Sequence, residues 1–282
     1  MKKLIVRALS GLVFVLVVCA FIFFGKCGGH TALFLLVSIV SLCEFYRALS
    51  NQGAKLSVPL GVVVGTMLYL VVTGMVVFNL SSSFLLLIIP LFMVVFLAHL
   101  WKKVEKPFES IAYTICGVVY ICIPLSLTIL LAKPIFMDSE VVMSDYSPFT
   151  MLGVLVLQWV SDSFAYLTGV CIGKHPLFPR HSPKKSWEGF VGGFVFTILA
   201  GYIIGTYLST HYTVVDWMVM GAMVPIIGTL GDLVESMFKR SMGIKDTGNI
   251  MPGHGGLLDR FDSLLMTTPF LLGYLLIKYL VF

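Results

Sequence analysis

The sequence predicts an all-α polytopic integral membrane protein. Hydrophobic residues make up 58% of its 282 residues and charged residues only 12%, with a mean hydropathy of +0.99. A soluble domain usually has about 25% charged residues. Apolar runs recur with the length of about 20 residues that a helix needs to cross the hydrocarbon core of a bilayer. Basic residues cluster in the short segments between these runs, which is typical of membrane proteins.

Nine apolar segments are long enough to be membrane helices. They are predicted at residues 5–24, 29–49, 58–78, 83–100, 110–132, 149–173, 189–209, 214–237 and 261–282. The first segment follows a basic start and could instead be a cleaved signal peptide. Its apolar run continues to Phe24 without a small-residue cleavage site, which favours a retained helix.

The distribution of basic residues predicts a cytoplasmic N-terminus and a C-terminus outside, because Lys and Arg stay in short cytoplasmic loops. In this topology all 19 Lys and Arg residues except Lys26, Lys133 and Lys278 are cytoplasmic. The net charge of +5 therefore reflects membrane topology and would attract anionic lipid headgroups. It does not indicate a nucleic-acid partner.

The polar residues divide the chain into regions of different character. Residues 1–132 are predicted to form a scaffold of five apolar helices with few unusual polar residues. Residues 133–148 are predicted to form an outer loop. Residues 149–282 hold four helices and nearly all the unusual polar residues, so they are predicted to be the catalytic region. In the scaffold, Glu44 and Arg47 lie three residues apart and are interpreted as an interfacial ion pair.

Polar residues recur at helical spacing in the sixth segment. They are Gln158, Ser161, Asp162, Ala165, Tyr166 and Gly169. A carboxylate such as Asp162 is costly inside an apolar run unless it is paired, hydrated or bound to a cation. We therefore expect this face to turn inward, and a polar packing seam is the alternative interpretation.

The loop after the sixth segment ends in the sequence SPKKSWEG, where the next helix is predicted to begin. Pro176, Pro179 and Pro183 are expected to keep the preceding loop irregular. The polar residues at the helix start are Lys184, Lys185, Ser186 and Glu188. Lysines and a hydroxyl at a helix N-terminus suit a phosphate group, whereas membrane anchoring alone would account for the lysines.

The eighth segment carries two carboxylates and a hydroxyl on one predicted helix face. Asp232, Glu235, Ser236 and Lys239 follow the spacing i, i+3, i+4, i+7. Carboxylate and hydroxyl oxygens are the ligands that hard divalent cations prefer. The spacing therefore predicts a cation site near the cytoplasmic end of this helix.

The stretch between the last two segments is charged and rich in glycine. Its candidate ligand-binding residues are Arg240, Lys245, Asp246, His254, Gly255, Gly256, Asp259, Arg260 and Asp262. The glycines allow backbone N–H groups to approach a ligand closely. Placing acidic and basic side chains so near an apolar boundary costs free energy unless they neutralise one another or a metal–phosphate ligand. His254 could act as a base, as a hydrogen-bond donor to the ligand or as an exposed loop residue.

This stretch resembles the C-terminal signature of phosphatidate cytidylyltransferases, the CDP-diacylglycerol synthases. The resemblance covers about 27 residues, from Ser236 through KR, KD and PGHGG to DRFD at 259–262. The upstream sequences DSFAYLTGVCIGK and SPKKSWEG also resemble that family. Met251 and Ser186 depart mildly from the family pattern, and neither changes a charge that the chemistry needs.

The resemblance implies a reaction in which CTP and phosphatidic acid give CDP-diacylglycerol and pyrophosphate, with Mg²⁺ required and a second ion such as K⁺ expected. It implies that Asp232 and Asp259 are metal ligands, with Ser236, Asp246 and Asp262 completing or supporting the shell. It also implies phosphate contacts from basic residues, namely Lys184, Lys185, Lys239, Arg240, Lys245 and Arg260. A homodimer in the bacterial-type inner membrane, with its site facing the cytoplasm, is the family expectation.

Two other functions remain open at this point. A CTP-dependent polyprenol or phytol kinase would transfer the γ-phosphoryl group to a lipid alcohol. An ion-coupled transporter would use Asp162, Asp232 and Glu235 as cation sites within the bilayer. The clustering of acids with cytoplasmic lysines and arginines favours the enzymes over the transporter.

Overall fold

The chain is helical along most of its described length. In this computed structural model, the described residues are 2–135, 145–180, 182–208, 210–251, 253 and 255–281. The first six helices are α1 (Lys2–Phe23), α2 (Lys26–Asn51), α3 (Val58–Val77), α4 (Ile88–Leu100), α5 (Pro107–Gly117) and α6 (Ile123–Ala132). The other four are α7 (Pro148–Ile172), α8 (Trp187–Tyr207), α9 (Val214–Ser241) and α10 (Leu258–Val281).

Eight helical stretches of the described chain are long and apolar enough to cross a membrane. A 3₁₀ turn at Ser82–Leu87 extends α4, and a π turn at Val118–Cys122 joins α5 to α6. The helix α1 contains a shorter apolar part, Leu9–Phe23. The predicted all-α polytopic membrane fold is thus confirmed, while the count of nine spanning helices and their orientation stay predictions.

The described residues divide into two compact units. Unit 1 comprises Met1–Ile129 and Met242–Phe261, and unit 2 comprises Leu130–Ser241 and Asp262–Phe282. The helix α10 passes from unit 1 to unit 2 between Phe261 and Asp262. The region boundaries predicted at 132 and 149 stay a prediction, and much of the predicted outer loop lies outside the described residues.

Unit 1 is built around a buried tyrosine. Tyr46 of α2 donates a hydrogen bond to the Thr114 carbonyl of α5 at 2.7 Å. A Cβ at Gly61 would lie 2.5 Å from the Tyr46 ring, and a Cβ at Gly117 would lie 2.6 Å from it. Only glycine at these two positions leaves room for the ring. These contacts bring α2, α3 and α5 together. A second aromatic group places Phe261 against Phe14 and Phe34, with ring centroids 5.7 and 5.9 Å apart.

Unit 2 packs α8 against both α7 and α9. The Cβ of a residue replacing Gly193 would lie 2.9 Å from the Ser161 carbonyl of α7. On the other side, a Cβ at Gly221 of α9 would lie 2.7 Å from the Thr197 carbonyl of α8. Small residues in membrane helices permit such close backbone approach. Glycines at these positions therefore let α8 pack closely against both neighbours.

The segment between α7 and α8 is not wholly irregular, which corrects the sequence-based expectation. It contains β1 (Pro176–Phe178) and β2 (Ser182–Ser186), which pair antiparallel through Pro176 with Ser186 and Phe178 with Ser182. Prolines occur in sheets at edge positions and irregularities, because they cannot donate to a ladder. The register is irregular between Pro176 and Phe178, so the prolines shape this hairpin rather than prevent it.

Candidate active site

Three carboxylates converge in unit 2. Asp232 and Glu235 come from α9 and Asp262 from α10, and one oxygen of each lies within 4.8 Å of the others. Glu235 is fully buried, whereas Asp232 and Asp262 are partly buried. Oxygen donors at this separation can hold a hard divalent cation such as Mg²⁺ or Ca²⁺. We call this group the acidic cluster. It includes Asp232 and Glu235, whose helical spacing led to the predicted cation site.

Two lysines pair with the acidic cluster. Lys185 at the end of the hairpin forms an ion pair with Asp232, and Lys239 forms one with Glu235, four residues earlier in α9. The Lys239 side chain is only 12% exposed, so its charge lies close to the buried Glu235. Buried charges require such compensation because their removal from water costs several kcal/mol per ion, roughly. The ion pairs therefore add Lys185 of β2 and Lys239 of α9 to the acidic cluster, so the whole group draws on β2, α9 and α10.

Close packing between α9 and α10 helps to bring the carboxylates together. A Cβ at Gly231 would lie 2.9 Å from the Asp262 carbonyl oxygen. At Gly228, a Cβ would lie 3.1 Å from Gln158 Oε1, and Gln158 itself donates to Thr267 Oγ1 at 2.9 Å. Gly231 thus lets α10 approach α9 next to Asp232, and Gly228 leaves room for the Gln158 side chain of α7.

The polar stripe of α7 is only partly turned inward. Gln158 and Ser161 are buried, whereas Asp162 is exposed and Tyr166 is 70% exposed. The prediction of an inward face is therefore correct for Gln158 and Ser161 and wrong for Asp162 and Tyr166. None of residues 162–172 of α7 is buried, so the exposure of the stripe follows position along the helix.

The hairpin is fixed to α8 by two residues of the SPKKSWEG sequence. Ser186 Oγ caps α8 by accepting the Gly189 N–H at 3.1 Å. Glu188 accepts the backbone N–H groups of Lys174 and His175 at 3.0 and 3.2 Å, and His175 Nδ1 at 2.6 Å. These contacts hold the base of the hairpin next to Lys185. Lys184 is exposed.

Asp259 organises the glycine-rich loop in unit 1. Its Oδ2 accepts the Thr247 N–H and Oγ1–H, both at 2.9 Å, and the Gly256 N–H at 2.8 Å. Asp259 is 7% exposed. A carboxylate in the first turn of a helix also complements the helix dipole. The sequence predicted that the Gly256 N–H would contact a ligand. In the structure it donates to Asp259 instead.

The glycines of this loop have conformations that other residues rarely adopt. Gly253 and Gly255 have φ of +79° and +85°. The Met251 N–H donates to the Gly255 carbonyl at 3.1 Å and closes the turn. A Cβ at Gly255 would lie 2.9 Å from Asp259 Oδ2 and 3.3 Å from Asp246 Cβ. The candidate His254 lies outside the described residues.

The remaining candidates are mostly exposed. Exposed side chains are those of Arg240 in unit 2 and of Lys245, Asp246 and Arg260 in unit 1. Ser236 is partly buried on α9, one residue after Glu235. Basic side chains that remain accessible to solvent can bind phosphate groups from solution.

Sequence reasoning missed the role of Glu44. Its carboxylate is 4% exposed and accepts the N–H groups of Leu257 and Leu258 at 3.0 and 2.8 Å. The interpretation of Glu44 as half of an interfacial ion pair with Arg47 was therefore wrong. A single acidic residue in an apolar helix was the available signal, but its partners are backbone groups 213 and 214 residues away.

Comparison with known proteins places this site in a family context. A Staphylococcus epidermidis protein named phosphatidate cytidylyltransferase is 43% identical over 128 residues, which cover 45% of this chain and 49% of that protein. A Haemophilus influenzae protein of the same name is 43% identical over 127 residues, which cover 43% of this chain and 44% of that protein. A Thermotoga maritima protein of that name is 36% identical over 186 residues, which cover 64% of this chain and 62% of that protein.

These alignments span about half the length of the first two relatives and somewhat more of the third. The family profile covers much more of the chain, because residues 5–278 match the pattern of the cytidylyltransferase family. That range includes the acidic cluster, the hairpin and the glycine-rich loop. The chain belongs to the cytidylyltransferase family.

Proposed function

We propose that this chain transfers the cytidylyl group of CTP to phosphatidic acid, giving CDP-diacylglycerol and pyrophosphate. The observation that carries the proposal is the acidic cluster with its lysines, Lys185 and Lys239, at the ends of apolar helices. Such a site can receive a soluble nucleotide and a lipid-anchored phosphate together. Membership of the cytidylyltransferase family supports the same reaction.

The reaction joins two anions. A phosphate oxygen of phosphatidic acid attacks the α-phosphorus of CTP, a new P–O bond forms, and the bond between the α-phosphorus and its bridging oxygen to the β-phosphate breaks. Pyrophosphate leaves with the electron pair of that bond. Catalysis consists mainly of alignment and of neutralising charge, because the reacting groups repel each other. No covalent enzyme intermediate is required.

The donor set fits Mg²⁺, since Asp232, Glu235 and Asp262 supply only oxygen atoms. These residues would hold the ion, with Asp259 as a further proposed ligand and Ser236 and Asp246 in support. When bound, the ion would lower the negative charge on the phosphate oxygens. A second ion such as K⁺ is part of the same proposal.

The lysines would exchange partners during substrate binding. Lys185 and Lys239 now neutralise Asp232 and Glu235, and a cation on these carboxylates would leave their ammonium groups available to phosphate oxygens. Lys239 is held on α9, whereas Lys185 extends from the hairpin. The other proposed phosphate contacts are Lys184, Ser186, Arg240, Lys245, His254, Gly255 and Arg260. Asp162 and Glu188 support the site, Glu188 by fixing the hairpin base.

The protein would span the bacterial-type inner membrane with nine helices, with its site at the cytoplasmic surface, where CTP is available. The distribution of Lys and Arg supports this orientation. The family resemblance supports a homodimer.

Separately labelled CTP tests the reaction. Purified protein would be incubated with phosphatidic acid, Mg²⁺ and either α-³²P- or γ-³²P-labelled CTP. We expect label to enter lipid only from the α position, with the γ label recovered in pyrophosphate. Lipid labelled only from the γ position would identify a lipid kinase and contradict the proposal. Ion-dependent solute flux in proteoliposomes without a lipid product would identify a transporter instead.

A further inference from the structure

Glu44 lies in α2, far along the chain from the other acidic residues of the site. Its Oε1 accepts the Leu257 N–H at 3.0 Å and its Oε2 accepts the Leu258 N–H at 2.8 Å. Leu257 immediately precedes α10, and Leu258 is its first residue, whose N–H lacks a partner within the helix. Both oxygens of a buried carboxylate therefore bind the start of the helix that carries Asp259.

The end of α2 contacts the glycine-rich loop at a second point. Gln52, the residue that follows α2, donates from Nε2 to the Met242 carbonyl at 2.7 Å. Met242 begins the segment that leads to α10, and Leu257 ends it. The same helix therefore holds both ends of the segment 242–257, which carries Lys245 and Asp246.

The loop is packed directly on the Glu44 carboxylate. A Cβ at Gly256 would lie 2.6 Å from Glu44 Oε2, and a Cβ at Gly248 would lie 2.8 Å from Glu44 Cδ. Both distances are too short for a real side chain, so glycine at these positions lets the backbone close around the carboxylate. Asp259 Oδ2 bonds to the intervening Thr247 and to Gly256. The loop is thus fixed by two carboxylates, one from α2 and one from α10.

We infer that Glu44 is a positioning residue for the reaction. Its carboxylate holds the segment 242–257 and the start of α10 in the conformation that presents Lys245 and Asp246 to the nucleotide. The acidic residue in the N-terminal region thus acts through the loop and touches no substrate. The expected effect of Glu44 on activity rests on the proposed function. Its expected effect on the conformation of the loop does not.

Two measurements on Glu44→Gln test this role. The amide retains the shape of the side chain, but it loses the negative charge and points an N–H₂ group at one of the two backbone donors. Hydrogen bonds to a charged acceptor are worth more than neutral ones, so we expect amide hydrogen exchange in residues 245–258 to speed up about tenfold or more. We also expect the KM for CTP to rise about tenfold, with a smaller change in kcat.

Glu105→Gln is the matched control, because it makes the same chemical change in unit 1 at a side chain that is 84% exposed. It should leave both loop exchange and KM unchanged. Wild-type exchange in residues 245–258 of Glu44→Gln would overturn the inference, whatever the activity. Faster exchange with an unchanged KM for CTP would also overturn it, because the loop would then not position the nucleotide site. If the wild-type protein makes no CDP-diacylglycerol, the proposed function fails while the exchange result still stands.

Gly248→Ala provides a second variant if Glu44→Gln does not accumulate in the membrane. It keeps the carboxylate and pushes a methyl group against it. We expect the same region to exchange faster and the KM for CTP to rise. Wild-type behaviour of this variant in both measurements would contradict the close packing on which the inference rests.

Discussion

The two units use their carboxylates in opposite ways. In unit 2, Asp232 and Glu235 converge with Asp262 and are neutralised by lysine side chains. In unit 1, Glu44 and Asp259 accept hydrogen bonds from the backbone. Lysine side chains can move away from their partners when a ligand arrives, whereas backbone N–H groups cannot leave without deforming the loop. Carboxylates of the first kind suit ligand binding. Those of the second kind determine loop shape, and Asp259 would do so in addition to its proposed contact with the ion.

A third acidic site marks the opposite end of α9. Asp216 is fully buried and accepts the Thr213 N–H at 2.9 Å, the Tyr274 hydroxyl at 2.9 Å and the Tyr279 hydroxyl at 2.6 Å. Lys278 completes the group with an ion pair at 2.5 Å. With all these partners inside unit 2, Asp216 ties α9 to α10 and serves packing rather than ligand binding.

The largest effect on activity is expected for Asp232→Asn. It removes a negative charge from the acidic cluster and the partner of Lys185, so we expect turnover to fall about 10²–10³-fold or more. Exchange in residues 245–258 should remain at the wild-type rate. CDP-diacylglycerol formation and hydrogen exchange would be measured on the same preparation. Near-wild-type turnover would remove Asp232 from the site.

Asp259→Asn should also reduce turnover by about 10²–10³-fold, but by a different route. Its neutral amide holds Thr247 and Gly256 more weakly, so we expect faster exchange in the glycine-rich loop together with the loss of activity. This combination separates Asp259 from Asp232. Unchanged loop exchange in Asp259→Asn would mean that its hydrogen bonds do not control the loop.

Lys239→Ala should have an intermediate effect. The change removes a proposed phosphate contact and the charge that compensates the buried Glu235, so we expect the KM for CTP to rise about tenfold. Lys103→Ala removes an exposed lysine elsewhere and is the control. Steady-state kinetics at varied CTP would measure both variants. An equal response of the two would show that the position of the positive charge does not matter.

The smallest effect on activity is expected for Asp216→Asn. The variant leaves Lys278 without its anionic partner and weakens two tyrosine hydrogen bonds, each worth about 0.5–1.5 kcal/mol. We therefore expect a lower midpoint of thermal unfolding in detergent, with turnover within about threefold of wild type at low temperature. Turnover lost as completely as in Asp232→Asn would place Asp216 in the chemistry.

Much of this arrangement could be predicted from sequence, because it depends on local spacing. Hydropathy located the apolar helices, and the spacing of Asp232, Glu235 and Lys239 put them on one face of α9. The pairing of Lys239 with Glu235 is a consequence of that helical spacing. Local rules were sufficient wherever the partners lie within two turns of one helix.

The contacts between distant residues could not be predicted. Nothing in the sequence near Glu44 indicates that its partners are the N–H groups of α10. The pairing of Lys185 with Asp232 likewise depends on the hairpin, which the prolines made appear irregular. Asp259 shows the same limit, since it was predicted to belong to the site, but its hydrogen bonds to Thr247 were not predicted.

Direct measurement of cation binding tests the central claim, that the carboxylates of unit 2 hold a divalent cation. Mn²⁺ shares the oxygen-ligand preference of Mg²⁺ and is visible by electron paramagnetic resonance. Wild-type protein titrated with Mn²⁺ should bind it, Mg²⁺ should displace it, and Asp232→Asn should bind it about 10-fold to 100-fold more weakly. Equal Mn²⁺ affinity in the wild-type protein and Asp232→Asn would contradict the account.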